Sequence, residues 1–270
     1  MDSQYSELDY KLSQIKHHYG DNTHILNDPF CLTQLAKLCS PAVGQPQFNR
    51  LVEVLYQQLV VAVMNVEFPR HQATVHSRMK AKSHRGVFRG ELIDHETEVV
   101  TVDIARAGTL PSQVCYTQLN ELMNPERVRQ DHLTMSRVTN PADEVVGATV
   151  SGEKVGGPVD SRIVLFPDPM GATGSSLSTA ISYYKDIFGG KPLRMITLNL
   201  VFTPEFINRI KTDHPDVIMY ALRLDRGMSS KEVLATEPGT HWEEESGLSE
   251  EGYIVPGGGG FGELMNNAWI

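Results

Sequence analysis

From Arg162 to Leu222 the sequence alternates between short apolar runs and longer helix-like ones, a rhythm that few folds accommodate. "RIVLFPDPMGATGSSLSTAISYYKDIFGG", Arg162–Gly190, begins with an apolar run of strand length, Ile163–Phe166. A helical pattern follows over Ser175–Phe188 and is stopped by Gly189 and Gly190. A second strand, Leu193–Val201, leads to a helix with Thr203 as N-cap and Pro204 at its first position. That helix closes at His214-Pro215, and "DVIMYAL" is the next strand. Strands separated by single helices and short connections need right-handed crossovers, so they lie parallel with helices on the faces. The expected fold is α/β, a mostly parallel sheet flanked by helices.

The rest of the chain is less regular. Residues 1–30 are polar without a clear period and read as an N-terminal extension, leaving 31–270 as the folded domain. Phe48, Leu51, Val52, Leu55, Leu59 and Ala62 share one face at helical spacing and predict a core-facing helix. Arg70–Gly90 carries six Lys/Arg and no acid. It reads as a solvated hairpin or arm in preference to a flap over an anion. Glu98–Gly108 predicts a strand ending in a turn, Leu110–Met123 a helix, and "DHLTMSRV" a strand. "NPADEVVGATVSGEKVGGP", residues 140–158, reads as a loop. Residues 226–250 break the alternation with a polar, acidic loop, and "GYIVPGGGGFGELMNNAWI" closes the chain with a short strand and a glycine cluster. The N-terminal part and the C-terminal segment are expected to build a small hood or arm over the sheet.

Charge narrows the function. A formal net charge of −9 argues against a general nucleic-acid binder, which needs a basic surface for phosphates, yet leaves room for a local cationic pocket. Three cysteines, Cys31, Cys39 and Cys115, do not make a disulfide framework. With no signal-peptide pattern and no apolar run approaching the ~20 residues of a membrane helix, the expected setting is cytoplasmic, without a membrane partner. His17, His18, His71, His76 and His84 show no metal-ligand spacing with the cysteines, and no protein metal cluster is expected.

"DPMGATGSS", Asp168–Ser176, falls between a strand end and a helix N-terminus, where parallel α/β sheets hold their ligands. Successive N–H groups of Ala172–Ser176 can converge on an anion that the helix dipole also favours. Thr173, Ser175 and Ser176 add hydroxyls, and Gly171 and Gly174 permit close backbone approach. The loop lacks the lysine of a nucleoside-triphosphate loop and the spacing of a dinucleotide loop. Asp168 ahead of the cradle suits a ligand with vicinal hydroxyls near its phosphate, such as a ribose 5-phosphate.

At this point the sequence resembles the uracil phosphoribosyltransferase family, of the type I phosphoribosyltransferase fold, whose loop reads close to D-P-M-x-A-T-G-[GS]-S. "DIARAG" resembles the family's strand-end R-A-G, "HPDV" its element before the penultimate strand, and "GYIVPGGGGFG" its uracil-binding segment. The resemblance spans roughly residues 30–265, with the motifs in order. It implies that Arg106 and Arg137 face the pyrophosphate of phosphoribosyl pyrophosphate, and that Asp168 holds the ribose hydroxyls. The same loop, through Pro169, Met170, Gly171, Ala172, Thr173, Gly174, Ser175 and Ser176, receives the phosphoribosyl group. Ile254, Gly259, Gly260 and Phe261 meet uracil, read through backbone groups. Arg106 and Asp168 carry the catalysis, Mg²⁺ is the cofactor, and the chain assembles as a homodimer or higher homo-oligomer. The implied reaction gives uridine monophosphate and pyrophosphate, a step of pyrimidine salvage.

One segment departs from that pattern. The family's uracil loop reads P-G-x-G-D-x-G-D-R, and here "PGGGGFGEL" puts Gly260, Glu263 and Leu264 at its last two acids and arginine. Loss of the first acid leaves two alternatives beside an active uracil enzyme. One is a homologue that binds phosphorylated ribose ligands with little or no transfer, as a sensor or partner subunit. The other is a transferase for another base.

Overall fold

In the computed structural model of the chain, which describes residues 3–139 and 145–269, the alternation becomes the parallel part of an eight-stranded sheet. The first elements are β1 (Thr23–Ile25), α1 (Pro29–Leu38) and α2 (Gln47–Glu67). The hairpin β2 (Arg70–His76) and β3 (Val87–Ile93) follows. Next come β4 (Val99–Ala105), α3 (Thr109–Leu122), β5 (Val128–Thr139) and β6 (Val145–Lys154). The alternating stretch supplies β7 (Ile163–Pro167), β8 (Met170–Gly171), α4 (Ser175–Tyr183), β9 (Arg194–Phe202), α5 (Pro204–Asp213) and β10 (Ile218–Leu224). Two short helices, α6 (Lys231–Leu234) and α7 (Phe261–Asn266), end the chain.

The sheet runs β1-β10-β9-β7-β4-β5-β6, with β8 beside β9. Every pairing in it is parallel except β5 with β6. Each face buries its own core. Leu55 and Leu59 of α2, Cys115 and Leu119 of α3 and Phe261 of α7 pack on one side. Leu177 and Ile181 of α4 with Phe206 and Ile210 of α5 pack on the other. The helix read from Phe48 to Ala62 is α2, and its stripe is the floor of the first core. Cys115 lies in that core, where burial pushes its thiol up.

Three readings change. Residues 145–154, read as loop, form β6, an antiparallel edge strand against β5; residues 140–144 lie outside the described residues. An edge strand covered on one side needs no apolar run, so Gly147, Ser151 and Gly152 masked it. The short strand expected after Gly252 is a single bridge, Leu248 to Ile254, and the chain ends in helix α7 instead. A helix of six residues that contains glycine is too short to show a period. The segment 1–30 supplies β1, which pairs with β10 and extends the main sheet.

The basic segment forms the exposed hairpin β2–β3, antiparallel and apart from the main sheet, with Tyr5 packed on Phe88. The acidic stretch 226–250 is anchored where it begins and near its end. Arg226 reaches Glu245 at 2.7 Å, and the Tyr19 hydroxyl donates to the same buried carboxylate. Burial, reinforced by that bond, pushes the Tyr19 phenol well up.

Candidate active site

The carboxyl ends of β4 and β7 open onto one cleft of about 550 Å³, lined among others by Arg106, Ser136, Asp168, Ser176 and Glu263. A smaller pocket of about 110 Å³ adjoins it, walled by Met170 and by Ala172 to Leu177, and shares Asp168 and Ser176 with the cleft. A small polar recess opening into a larger cleft is the shape of a site for a ligand with a phosphate at one end.

The recess is built by the strand–loop–helix frame. Leu200 and Val201 donate backbone bonds to Pro169 C=O, and Thr203 N–H donates to Gly171 C=O at 3.0 Å. These bonds hold the loop down on β9. A Cβ on Gly171 would sit 2.8 Å from the Phe202 Cβ and 2.9 Å from a Phe206 ring carbon, so no side chain fits there. Gly174 caps α4 with φ 76°, in the left-handed region. The first helical bond runs from Ser178 N–H to Gly174 C=O at 2.8 Å, which leaves the N–H groups ahead of it without intrahelical acceptors. Thr173 and Ser176 are exposed at the recess. His214, from "HPDV", steadies the first turn of α4: its Nε2 lies 2.9 Å from Ser178 O. Burial holds that imidazole below its ordinary pKa.

Asp168 stands where recess and cleft meet. Met170 N–H donates to its Oδ1 at 3.2 Å, and the Asn199 amide pins its backbone carbonyl at 2.7 Å. Burial pushes its carboxyl up to about 6, against the smaller lowering effect of the Met170 bond.

Arg106 follows the last residue of β4, on a turn that needs its glycine. A Cβ on Gly108 would meet Ile104 O at 2.8 Å and Pro167 O at 3.1 Å. The R-A-G motif is therefore a close approach of the turn to β7, with Arg106 left 41% exposed in the cleft. Its Nη1 donates to Ala268 O at 2.9 Å and its Nη2 to Glu263 Oε1 at 3.2 Å. Behind it, Asp103 accepts from the Thr109 hydroxyl and pairs with His132, both at 2.9 Å.

The C-terminal loop is more tightly specified than a run of glycines suggests. Gly257 and Gly259 have φ of 58° and 84°, and a Cβ on Gly258 would fall 2.7 Å from the Phe261 ring and 2.8 Å from Cys39 Sγ. Arg223 and Asp225 form a bidentate pair at 2.6 and 2.7 Å that clamps the loop. Gly257 N–H donates to Asp225 at 2.8 Å and its carbonyl accepts from Arg223 at 3.1 Å.

Arg106, Asp168 and Ser176 thus line one cleft, and Met170 to Ser176 surround the recess. Pro169 is buried behind it, with its carbonyl bonded to β9. Arg137 has its backbone in β5, opposite Ala148, while its side chain lies outside the described residues. Ile254 and Phe261 turn their side chains into the core, Phe261 edge-on to Phe48 at 5.0 Å, and from this segment the cleft is lined by Gly262 and Glu263, not by Ile254, Gly259, Gly260 or Phe261. Sequence reasoning missed Met135, Ser136 and Ala148, which reach the cleft from the β5–β6 edge. Met135 and Ser136 precede Arg137 on the strand read at "DHLTMSRV", while Ala148 was hidden with the strand in residues 145–154.

The model of the uracil phosphoribosyltransferase family matches residues 25–240. The uracil phosphoribosyltransferase of Thermococcus sibiricus is 36% identical over 107 residues, 40% of this chain and 37% of that protein's length. That of Dictyoglomus thermophilum is 24% identical over 241 residues, 89% of this chain and 97% of that protein. The solved structure of the AQ2163 protein from Aquifex aeolicus superposes with a TM-score of 0.67 at 19% identity, covering 92% of this chain and 99% of that one, a likeness of fold. Among the described residues no helix is long and apolar enough to cross a membrane. With the family model spanning most of its length, the chain belongs to the uracil phosphoribosyltransferase family of transferase enzymes.

Proposed function

We propose that the cleft transfers a phosphoribosyl group from phosphoribosyl pyrophosphate to uracil, giving uridine monophosphate and pyrophosphate. The observation that carries this reading is the pair of adjoining pockets, of about 110 and 550 Å³, that share Asp168 and Ser176. The recess takes the 5′-phosphate on the N–H groups and hydroxyls of Thr173–Ser176, displacing the 3.3 Å bond that the Ser175 N–H makes to the Thr173 hydroxyl. Asp168 at the junction accepts from the ribose hydroxyls, and Arg106 across the cleft meets the pyrophosphate.

Two reactants held in this way gain rate from orientation and from charge placed where it develops. The bond from the anomeric carbon to pyrophosphate breaks with its electron pair leaving on pyrophosphate. A uracil ring nitrogen supplies the new pair and gives up its proton to solvent. Arg106 neutralises the departing charge, while Asp168 keeps the sugar fixed as its anomeric carbon becomes cationic. The donor set fits Mg²⁺ carried by the ligand. Asp168 offers a hard oxygen to the cleft, whereas no cluster of three or more His, Cys, Asp or Glu suited to a metal occurs among the described residues. Bound with pyrophosphate, that ion would add charge neutralisation.

One observation favours a rival, a homologue that binds phosphorylated ribose with little transfer. The C-terminal loop has no acid at Gly260 and sets Glu263 on Arg106. Steady-state formation of uridine monophosphate from uracil, phosphoribosyl pyrophosphate and Mg²⁺, run beside other bases, decides between them. Turnover with uracil above all others supports the proposal. Turnover with another base, or binding without turnover, overturns it. The same proposal includes self-association, since Val75, Met79 and Phe88 stay exposed on the hairpin; a monomer in sedimentation would count against that part.

A further inference from the structure

Both ends of the Arg106 guanidinium are engaged by the C-terminal segment, through Ala268 O at 2.9 Å and Glu263 Oε1 at 3.2 Å. Room for that carboxylate comes from position 260. A Cβ there would lie 2.4 Å from Glu263 Oε2, while φ −79° and ψ 94° are open to any residue. Gly260 is therefore needed for the space that Glu263 occupies and not for its own backbone. α7 lies beside the same turn: a Cβ on Gly262 would rest at an ordinary contact distance, 3.8 Å, from Ala107.

We propose that Glu263 is a positioning residue that sets the anion affinity of the cleft. Its carboxylate holds Arg106 in the free protein and competes with the diphosphate of the incoming ligand. This rests on the reading of Arg106 as the pyrophosphate contact. A guanidinium fork binds phosphate oxygens as readily as a carboxylate, so the two anions seek the same donors. With both side chains partly exposed, at 41% and 28%, the pair is weak enough for a ligand to break. A carboxylate left beside the diphosphate then opposes it by like charge.

The test is calorimetric binding of inorganic pyrophosphate with Mg²⁺ to the wild type, Glu263→Gln, Gly260→Ala, Arg106→Gln and the Arg106→Gln/Glu263→Gln double variant. Glu263→Gln should tighten binding roughly two- to fivefold, a gain that mere structural damage does not produce. Gly260→Ala should tighten it in the same direction by pushing the carboxylate aside. Neither effect should survive without Arg106. Unchanged or weaker binding in Glu263→Gln, a gain that persists in the Arg106→Gln background, or no binding by any form would overturn the proposal. Uridine monophosphate formation keeps the two readings apart. Tighter pyrophosphate binding with no nucleotide made by any variant sinks the transfer reading alone, and nucleotide made without any tightening sinks this one.

Discussion

Asp168–Ser176 and Gly257–Glu263 lie at the same cleft, but different forces shape them. The Asp168–Ser176 loop is held by backbone bonds to β9 and by the packing of Gly171 on Phe202 and Phe206, all within the strand–helix units that flank it. The C-terminal loop has no strand of its own and takes its form from a distant ion pair, Arg223 with Asp225, and from Cys39 and Phe261 packed around Gly258. The family model covers the first loop and stops at residue 240, before the second. A loop determined by its own sheet can keep its sequence pattern. A loop clamped through its backbone can change its side chains, provided the clamp and the small residues stay.

The clamp is the place to break that comparison hardest. Asp225 is buried, and removing it leaves Arg223 uncompensated and Gly257 N–H without its acceptor. Asp225→Ala should cost about 3–5 kcal/mol in urea unfolding and open residues 257–260 to proteolysis, with the Asp168–Ser176 loop unaffected. Equal protection of both loops in the variant would mean that the ion pair does not separate them.

Asp168→Asn tests the first loop through its ligand. It should weaken phosphoribosyl pyrophosphate by about 1.5–3 kcal/mol in calorimetry, the range for hydrogen bonds to a charged group. The carboxyl, raised by burial to about 6, also gives a pH signature. A raised carboxyl contributes stability that is full below its unfolded value near 3.8 and is lost as pH rises through about 6. Ligand affinity moves the other way, because the ionised form accepts from the hydroxyls, so it should rise through about 6 in the wild type. The part of each trend due to Asp168 should be missing from the Asn variant, which leaves the ligand's own phosphate titration as background. Identical profiles for the two proteins would remove Asp168 from the site.

Gly171→Val forces a side chain against Phe202 and Phe206 and should cost about 1–3 kcal/mol, with loss of phosphate binding at the recess. Retained binding with that loss of stability would show that the recess tolerates a shifted loop. The smallest effect on folding is expected at Arg106, whose pair with Glu263 is partly exposed. Arg106→Gln should change stability by less than about 1 kcal/mol while weakening pyrophosphate binding by about 1.5–3 kcal/mol. A large fall in stability would make Arg106 a structural residue first.

Much of this molecule was legible in one sequence because its information is local. Strand length, the Thr203-Pro204 cap, the stripe from Phe48 to Leu59 and the glycines of Asp168–Ser176 act within a few residues of themselves. They determined the parallel sheet, its helices and the loop at its carboxyl edge. Edge strand β6 and helix α7 escaped because one is half-exposed and glycine-bearing and the other a single short turn. Tertiary structure alone decided what depends on residues far apart in the chain. It joined Thr23–Ile25 to β10, clamped Gly257 with Arg223 and Asp225, and brought Glu263 onto Arg106 across 157 positions. No local pattern encodes those meetings, because each one exists only after the sheet has brought its carboxyl ends together.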